Sequence, residues 1–463
     1  MKILFVAAEA LPWFKTGGLA DVARALPDAL VERGHDVRIV MPGYSFLAPS
    51  INEGTVDAEF NVGWPGGPRP VRVALSADGP GAPTAFVLSP GLFDTDRPYD
   101  DVPGDPLALG RRFAFFSRAV ARYANHWGAD VVHLNDWQAA LVPLYGLIDG
   151  LDAATLFSIH NLAYQGNFPP VLLPEIGVPG AFHRTENGLE FHGVASFMKG
   201  GISLADRLAT VSPTYAAEIQ TAAYGNGLEG LLAFRRRTLH GVVNGIDTAA
   251  WNPATDAFLP ETYGVKTLPR KENVRSALLE AAGISGAGAV LGIVTRLAQQ
   301  KGLEVVLGAA HGLMERGCSL VVLGSGEAHL ERGFEAFARA YPGRVAIYRG
   351  FNDPLAHLIY GGADFFLMPS LYEPCGLGQM IAQRFGTPPI ARRTGGLNDT
   401  IEDGATGFLF DAPRPDAFLE AVDRALAVWR RRGWRALQQR CMREDHSWER
   451  SAGEYERLYA LTM

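Results

Sequence analysis

The sequence predicts an α/β protein built from two Rossmann-like, doubly wound domains. Three observations predict it. Short runs are apolar on both faces, amphipathic stretches separate them, and this alternation occurs in each half of the chain. Strands buried on both faces and alternating with helices imply parallel sheets covered on both sides. The length of 463 residues suits two domains at roughly 100–200 residues each.

The first half is predicted to hold strands at Ile3–Ala7, Asp36–Met41, Ala85–Leu88, Val131–Leu134 and Thr155–Ile159. The second is predicted to hold strands at Val290–Val294, Ser319–Leu323, Val345–Tyr348, Phe365–Met368 and Pro389–Ala391. Amphipathic spacing predicts helices over Leu19–Arg33 and Gly302–Arg316, and a further helix starting after Pro374. Near Val242-Val243-Asn244-Gly245 a strand ends in a glycine turn, which sets the domains at 1–243 and 244–446. Segment 447–463 carries Trp448, Tyr455, Leu458 and Tyr459 and reads as a helix crossing back to the first domain.

Composition excludes several classes. The net charge of −7 disfavours nucleic acid and anionic membranes as partners, whereas a neutral polymer is not repelled. The apolar run after Met1 meets Glu9 too soon for a signal segment and reads as a buried strand. No run reaches the ~18–20 apolar residues of a membrane span. Cys318, Cys375 and Cys441 are widely spaced and suggest neither a zinc site nor a disulfide framework. A reducing cytoplasm is the expected compartment.

Open α/β sheets bind ligands beyond the carboxyl ends of their strands, so the strand-end loops carry the functional weight. Lys15-Thr16-Gly17-Gly18-Leu19-Ala20-Asp21 leads from a strand into a helix. Its glycines permit close backbone approach, and the helix start offers free N–H groups to an anion. A solvated lysine on a helix-start loop is the plainer reading. His133-Leu134-Asn135-Asp136-Trp137-Gln138 places polar groups around an aromatic ring able to stack on a sugar. Asp136 as a helix cap and Trp137 as core fit equally well. In Ser158-Ile159-His160-Asn161, the histidine reads either as a sugar-hydroxyl partner or as a satisfied structural residue.

The second half repeats the pattern. Arg296 and Lys301 flank a turn after a strand, and two cations beside a helix start suit a diphosphate. Surface charge is the alternative. Tyr372-Glu373-Pro374-Cys375-Gly376-Leu377-Gly378 is the most informative stretch. The amides from Cys375 to Gly378 are expected to face a phosphate, with Glu373 beside them holding hydroxyls or simply stabilising the helix start. Cys375 has no identifiable activating histidine and is discounted as a nucleophile. Arg392-Arg393-Thr394-Gly395-Gly396-Leu397 echoes the first loop, its arginines facing phosphate or solvent.

Taken in this order, KTGGLADV, HNLAYQG, NGID, TRLxxQKG, EPCGL and RRTGGL resemble bacterial glycogen synthases and plant starch synthases over nearly the whole chain. The resemblance implies the B-type glycosyltransferase fold, two Rossmann-like domains facing a deep cleft. It implies retaining transfer of glucose from ADP-glucose to the non-reducing end of an α-1,4-glucan, without metal or other cofactor. Its expected partners are a nucleotide sugar and an α-glucan. By the same resemblance, Lys15, Gly17 and Gly18 approach the donor and the transferred glucose, and Asp21 supports their loop. Asp136 and His160 contact the glucosyl unit together with Trp137 and Asn161, and Asn244 lies beside them. Arg296 and Lys301 hold the diphosphate, and Glu373 binds the glucose 3-hydroxyl region with the backbone of Cys375, Gly376 and Leu377.

Three positions depart from the family pattern. Ile381 stands where many retaining relatives of this fold have a second glutamate, a loss common in the synthase branch. Gly378 replaces a frequent threonine, and Phe351 stands where a tyrosine usually stacks on the base. Alternatives within the same chemistry are another nucleotide-sugar-dependent transferase of this fold and a non-catalytic glucan or nucleotide-sugar sensor. Trp64 and Tyr99 are further aromatic candidates for polymer contact.

Overall fold

The computed structural model describes residues 1–76, 81–100, 102–286 and 288–463. The chain divides into two compact units. The first comprises residues 1–211, 216–242 and 448–463; the second comprises 212–215 and 243–447.

Among the described residues the first unit holds a nine-stranded sheet. Its strands are β1 Lys2–Val6, β2 Asp36–Pro42, β3 Thr55–Val62, β4 Arg69–Leu75, β5 Thr84–Leu88, β6 Val131–Asn135, β7 Ala154–Ile159, β8 Arg207–Thr210 and β9 Leu239–Gly241. Their order is β9-β8-β7-β6-β1-β2-β5-β4-β3. Pairing is parallel from β9 to β5, and β4 and β3 are antiparallel additions. Ile3, Leu4, Phe5 and Val6 are fully buried, as expected of a central parallel strand. The sequence reading misses β3 and β4 because only one of their faces is covered, so they lack a continuous apolar run. A separate three-stranded antiparallel sheet is built from Asn167–Phe168, Glu190–Phe191 and Val194–Ser196.

The second unit holds a six-stranded sheet among its described residues, and all of its pairings are parallel. Its strands are β10 Val290–Val294, β11 Ser319–Leu323, β12 Val345–Tyr348, β13 Phe365–Met368, β14 Pro389–Arg392 and β15 Phe408–Phe410, in the order β12-β11-β10-β13-β14-β15. Alternate residues feed two cores. Leu291, Ile293, Leu320 and Val322 enter one face, while Val290, Val321 and Leu323 enter the other.

In each unit the first strand lies between neighbours reached in opposite directions, β6 and β2 around β1, and β13 and β11 around β10. Such a switch in winding opens a crevice at the carboxyl ends of the strands. The functional loops emerge there.

Four helices matter below: α1 Leu19–Glu32, α2 Ala108–Trp127, α3 Gly378–Arg384 and α4 Trp448–Thr462. Two helix expectations are corrected. The stretch predicted as one helix over Gly302–Arg316 is two, Leu303–Gly308 and Ala310–Glu315. The break follows Gly308, a weak helix former packed close to Pro415. The helix expected directly after Pro374 starts at Gly378 instead. The carbonyls of Glu373 and Pro374 are taken by the Gly396 amide, and those of Cys375 and Gly376 by the Gln379 side chain. These bonds hold residues 373–376 in a loop ahead of the helix.

The membership of residues 212–215 is a further correction to a contiguous 1–243 domain. Ser212 Oγ donates to the Pro374 carbonyl at 2.8 Å, and the Thr214 amide donates to Asp399 at 2.8 Å. Helix α4 packs with the first unit. Its Tyr459 hydroxyl is bonded to His133 Nδ1 at 2.8 Å, and His133 Nε2 is bonded to Ser158 Oγ at 2.7 Å. Burial holds the His133 imidazole well below the usual histidine range, so the ring is neutral in that network. Glu456 adds ion pairs to Arg33 at 2.6 Å and His35 at 2.8 Å.

Candidate active site

In the first unit the loops after β1, β6 and β7 meet. Asp136 follows β6 with φ 55°, a left-handed conformation that aspartate tolerates better than most residues. Its Oδ1 accepts the His160 amide at 2.8 Å, and the Asn161 amide also donates to the carboxylate. Burial pushes the Asp136 carboxyl up to about 7, against the pull of those two amides and with a smaller push from the charge of Glu9.

His160 Nε2 lies 2.8 Å from Asn135 Oδ1. Asn135 Nδ2 donates to the Val6 carbonyl at 2.9 Å, so its oxygen is the acceptor and His160 Nε2 carries the proton. Burial lowers the imidazole to about 4. His160 is therefore neutral, with Nδ1 as an acceptor. Asn161 Oδ1 accepts the Ala163 amide at 3.1 Å and fixes the turn that follows.

Two expectations for this unit change. Trp137 is buried in an aromatic cluster, edge-on to Phe113 at 5.1 Å and tilted against Phe168 and Phe197. Its ring is committed to packing and has no face open to a sugar. The amides around the start of α1 are only in part open to an external anion, because an internal carboxylate takes those of Thr16, Gly17 and Ala20. Glu9 accepts from Thr16 N at 3.0 Å, and from Gly17 N and Ala20 N at 3.2 Å each. Lys15 is paired with Asp21 at 2.8 Å, so these two predicted residues are brought together on one loop. Gly18 precedes α1 with open space where a side chain would stand. Tyr99 packs against Phe113, and Trp64 stands edge-on to Phe115.

In the second unit the loops after β10, β13 and β14 pack on one another through backbone. Gly302 has φ 60°, and a Cβ there would lie 2.1 Å from the Pro369 carbonyl oxygen. Gly395 has φ 42°, and a Cβ there would lie 1.9 Å from the Glu373 carbonyl oxygen. Only glycine meets both demands. The Leu371 amide donates to the Gln300 carbonyl at 2.8 Å, which ties the first two loops together.

These contacts bring Lys301 and Glu373 into an ion pair of 2.7 Å. Ser370 Oγ donates to the same carboxylate oxygen at 2.9 Å. The pair is largely buried, with side chains 18% and 6% exposed. Arg296 on the same loop as Lys301 is exposed, and its guanidinium has no partner among the described residues. Asn244 donates its amide to Cys375 Sγ, and its buried Oδ1 has no partner. Burial pushes the Cys375 thiol up to about 12, which removes thiolate chemistry.

Gly376 follows with φ 77° and Leu377 caps α3. A Cβ on Gly378 would come within 3.0 Å of the Phe366 ring, a tight fit for any side chain. Phe351 is 97% exposed, an open aromatic face. The arginines after β14 are engaged within the second unit. Arg392 donates to the carbonyls of Leu371 and Asp411, and Arg393 pairs with Asp411 at 2.9 Å. Among the described residues no group of three or more His, Cys, Asp or Glu side chains forms a cluster suited to a metal ion.

A sequence profile described as "Starch synthase catalytic domain" matches residues 2–234, and one described as "Glycosyl transferases group 1" matches residues 275–436. A glycogen synthase of Anaeromyxobacter dehalogenans is 46% identical, covering 99% of this chain and 98% of the relative. Glycogen synthase 2 of Geobacter sulfurreducens is 43% identical, covering 100% and 99%. This chain belongs to the glycogen and starch synthase family. The catalytic domain of starch synthase IV from Arabidopsis thaliana, solved bound to ADP and acarbose, superposes with a TM-score of 0.88 at 33% identity over 99% of both chains. This member of the family accordingly has the B-type glycosyltransferase fold and is a glucosyltransferase.

Sequence reasoning gives no role to Glu9 or Ser370, and offers Asn135 as a hydroxyl partner where the structure has it orient His160. Glu9 did leave a signal. It is a carboxylate placed directly after a fully apolar strand, where a buried charge requires donors.

Proposed function

We propose that this synthase transfers glucose from ADP-glucose, with retention, to the non-reducing end of an α-1,4-glucan and so elongates glycogen. The observation that carries the reading is the Lys301–Glu373 pair at the switch point of the second sheet, with Arg296 beside it. Arg296 and Lys301 meet the negative charge that grows on the departing nucleoside diphosphate, and the Gly376 and Leu377 amides add to it. Glu373 takes sugar hydroxyls and, through its ion pair, holds Lys301 in place. Phe351 offers an aromatic face to the adenine.

In the first unit Asp136 and the His160 backbone hold the glucosyl unit, with Lys15, Asp21, Gly17 and Gly18 shaping the neighbouring loop. Asn244 offers its unpartnered oxygen to a donor on the substrate. Among the described residues no second carboxylate stands on α3, where Ile381 is buried. Front-face attack fits this site, with the leaving phosphate taking the acceptor proton. The reaction as proposed uses no metal and no other cofactor. The partners are a nucleotide sugar and a neutral glucan, and the compartment is the cytoplasm, in keeping with three buried free thiols.

The test is incorporation of labelled glucose from ADP-glucose and, separately, UDP-glucose into glycogen and into small acceptors. One ADP released per α-1,4-linked glucose added is the expected outcome. Binding of ADP-glucose without elongation would instead mark a sensor, and transfer only to small acceptors would mark a different transferase.

A further inference from the structure

We infer that Gln379 is a positioning residue for glucosyl transfer, a buried amide that draws two successive carbonyls of the Cys375–Gly376 turn inward and so turns the Gly376 and Leu377 amides outward to the departing diphosphate. The inference rests on the function proposed above and deepens it.

Gln379 lies in the first turn of α3 and is fully buried. Its Nε2 donates to the Gly376 carbonyl at 2.9 Å and the Cys375 carbonyl at 3.1 Å, and reaches Thr400 Oγ1 at 3.0 Å. The Thr400 hydroxyl gives its own proton to the Gly396 carbonyl at 2.6 Å, so toward Gln379 it is an acceptor. All three partners therefore require an N–H donor. They fix the orientation of the side chain, although Gln379 Oε1 on its other side is buried without a partner. Turning the amide over would set that oxygen against two carbonyl oxygens. A Cβ on Gly376 would stand 2.5 Å from Oε1, so a glycine there lets the side chain close on the turn.

The consequence follows from the peptide plane. In a trans peptide the C=O of one residue and the N–H of the next point in opposite directions. The Cys375 carbonyl shares its plane with the Gly376 amide, and the Gly376 carbonyl shares its plane with the Leu377 amide. Both carbonyls are held inward, so both amides face away from Gln379. Neither amide has a partner among the described residues. Gly376 and Leu377 are half-buried, whereas Glu373, Pro374, Cys375 and Gln379 are buried. Successive amides turned the same way form a concavity for an anionic oxygen. Backbone donors fixed beforehand need no reorganisation as charge develops on the leaving group.

Gln379→Leu removes the donor and keeps much of the bulk, and Gln379→Glu keeps the shape. Gln383→Leu is the control. Gln383 lies one turn further along α3, is equally buried, and donates to the Thr400 and Thr406 carbonyls rather than to the turn. ADP affinity by calorimetry, transfer kinetics with ADP-glucose and glycogen, and urea midpoints are measured for each variant and the wild type. Gln379→Leu should weaken ADP binding at least about fivefold and lower kcat at least about tenfold. Gln383→Leu should lower the urea midpoint as well, yet hold ADP affinity and kcat within about twofold, because the bonds it loses lie elsewhere. Gln379→Glu adds a readout that packing alone does not move. A buried carboxyl stays protonated to higher pH than usual, and in that form it still donates to one carbonyl; ionised, it opposes both. Its kcat relative to the wild type should fall as pH rises from about 5.5 to 9, while the same ratio for Gln379→Leu stays level. Wild-type ADP affinity and kcat in Gln379→Leu, equal losses in Gln383→Leu, or a level ratio for Gln379→Glu would overturn the inference. If Gln379→Leu fails to fold, the pH dependence of Gln379→Glu decides. If the wild type bound ADP but failed to extend glycogen, the proposed function would fall by itself, and the ADP affinities would still decide the role of Gln379.

Discussion

Lys301 and Glu373 form the sharpest residue-level feature, because each holds the other. Removing Glu373 leaves a mostly buried ammonium without its carboxylate, and removing Lys301 leaves the reverse. Lys301→Ala and Glu373→Ala should each lower turnover by at least about 100-fold, the cost of losing a transition-state contact. The double variant should lose much less than the product of the two, since the residues act as a unit. Steady-state kinetics of the three enzymes checks this, and near-wild-type turnover in either single variant would remove it from the site. Asp136 gives a pH prediction. Its folded value near 7 stands above the ordinary 3.8, so the stability it contributes is full at low pH and is lost as pH rises from about 4 to 7. The loss is at most about 4 kcal/mol at 1.36 kcal/mol per unit. Asp136→Asn keeps an acceptor for the His160 amide and removes the charge. Its urea midpoint should therefore vary less over pH 4–8 than that of the wild type, and lie above it at pH 8.

At the scale of elements, the loops of the second unit are locked by glycines at positive φ. Gly302→Ala adds both an unfavourable left-handed backbone conformation and a clash with the Pro369 carbonyl. It should cost at least about 2 kcal/mol in the urea midpoint and disrupt the Lys301–Glu373 pair, seen as a fall in kcat. The central strands were legible in the sequence because burial on both faces writes itself as an apolar run, and β10 to β13 fall at the predicted residues. The ribbon β3–β4 was illegible for the opposite reason, since one face is wet. Trp137 was ambiguous because an aromatic at a strand end looks alike whether it stacks on a ligand or on Phe113. The expected start of helix α3 is too early because the donors that hold the carbonyls of residues 373–376 in a loop, the Gly396 amide and the Gln379 side chain, are not shown by a helical pattern.

At the scale of the molecule, the candidate residues divide between the units as the motifs do, yet neither unit is one continuous segment. That interleaving was only half legible. The apolar stripe of α4 was visible in Tyr455, Leu458 and Tyr459, whereas the transfer of residues 212–215 depends on hydrogen bonds to Pro374 and Asp399 that no local pattern announces. The bond from Tyr459 to His133 joins residues 326 positions apart. Tyr459→Phe deletes it while keeping the ring, and leaves a buried imidazole nitrogen unsatisfied. It should lower global stability by about 1 kcal/mol, measured by urea denaturation, with kcat unchanged.

Helix α4 also dictates an order of events during synthesis. Residues 448–463 leave the ribosome after every residue of the second unit has been made. Domains made in sequence ordinarily fold in sequence. Here the unit begun first is completed last, and until then the underside of β6, with His133 at its centre, waits uncovered for a chaperone or for its own final helix.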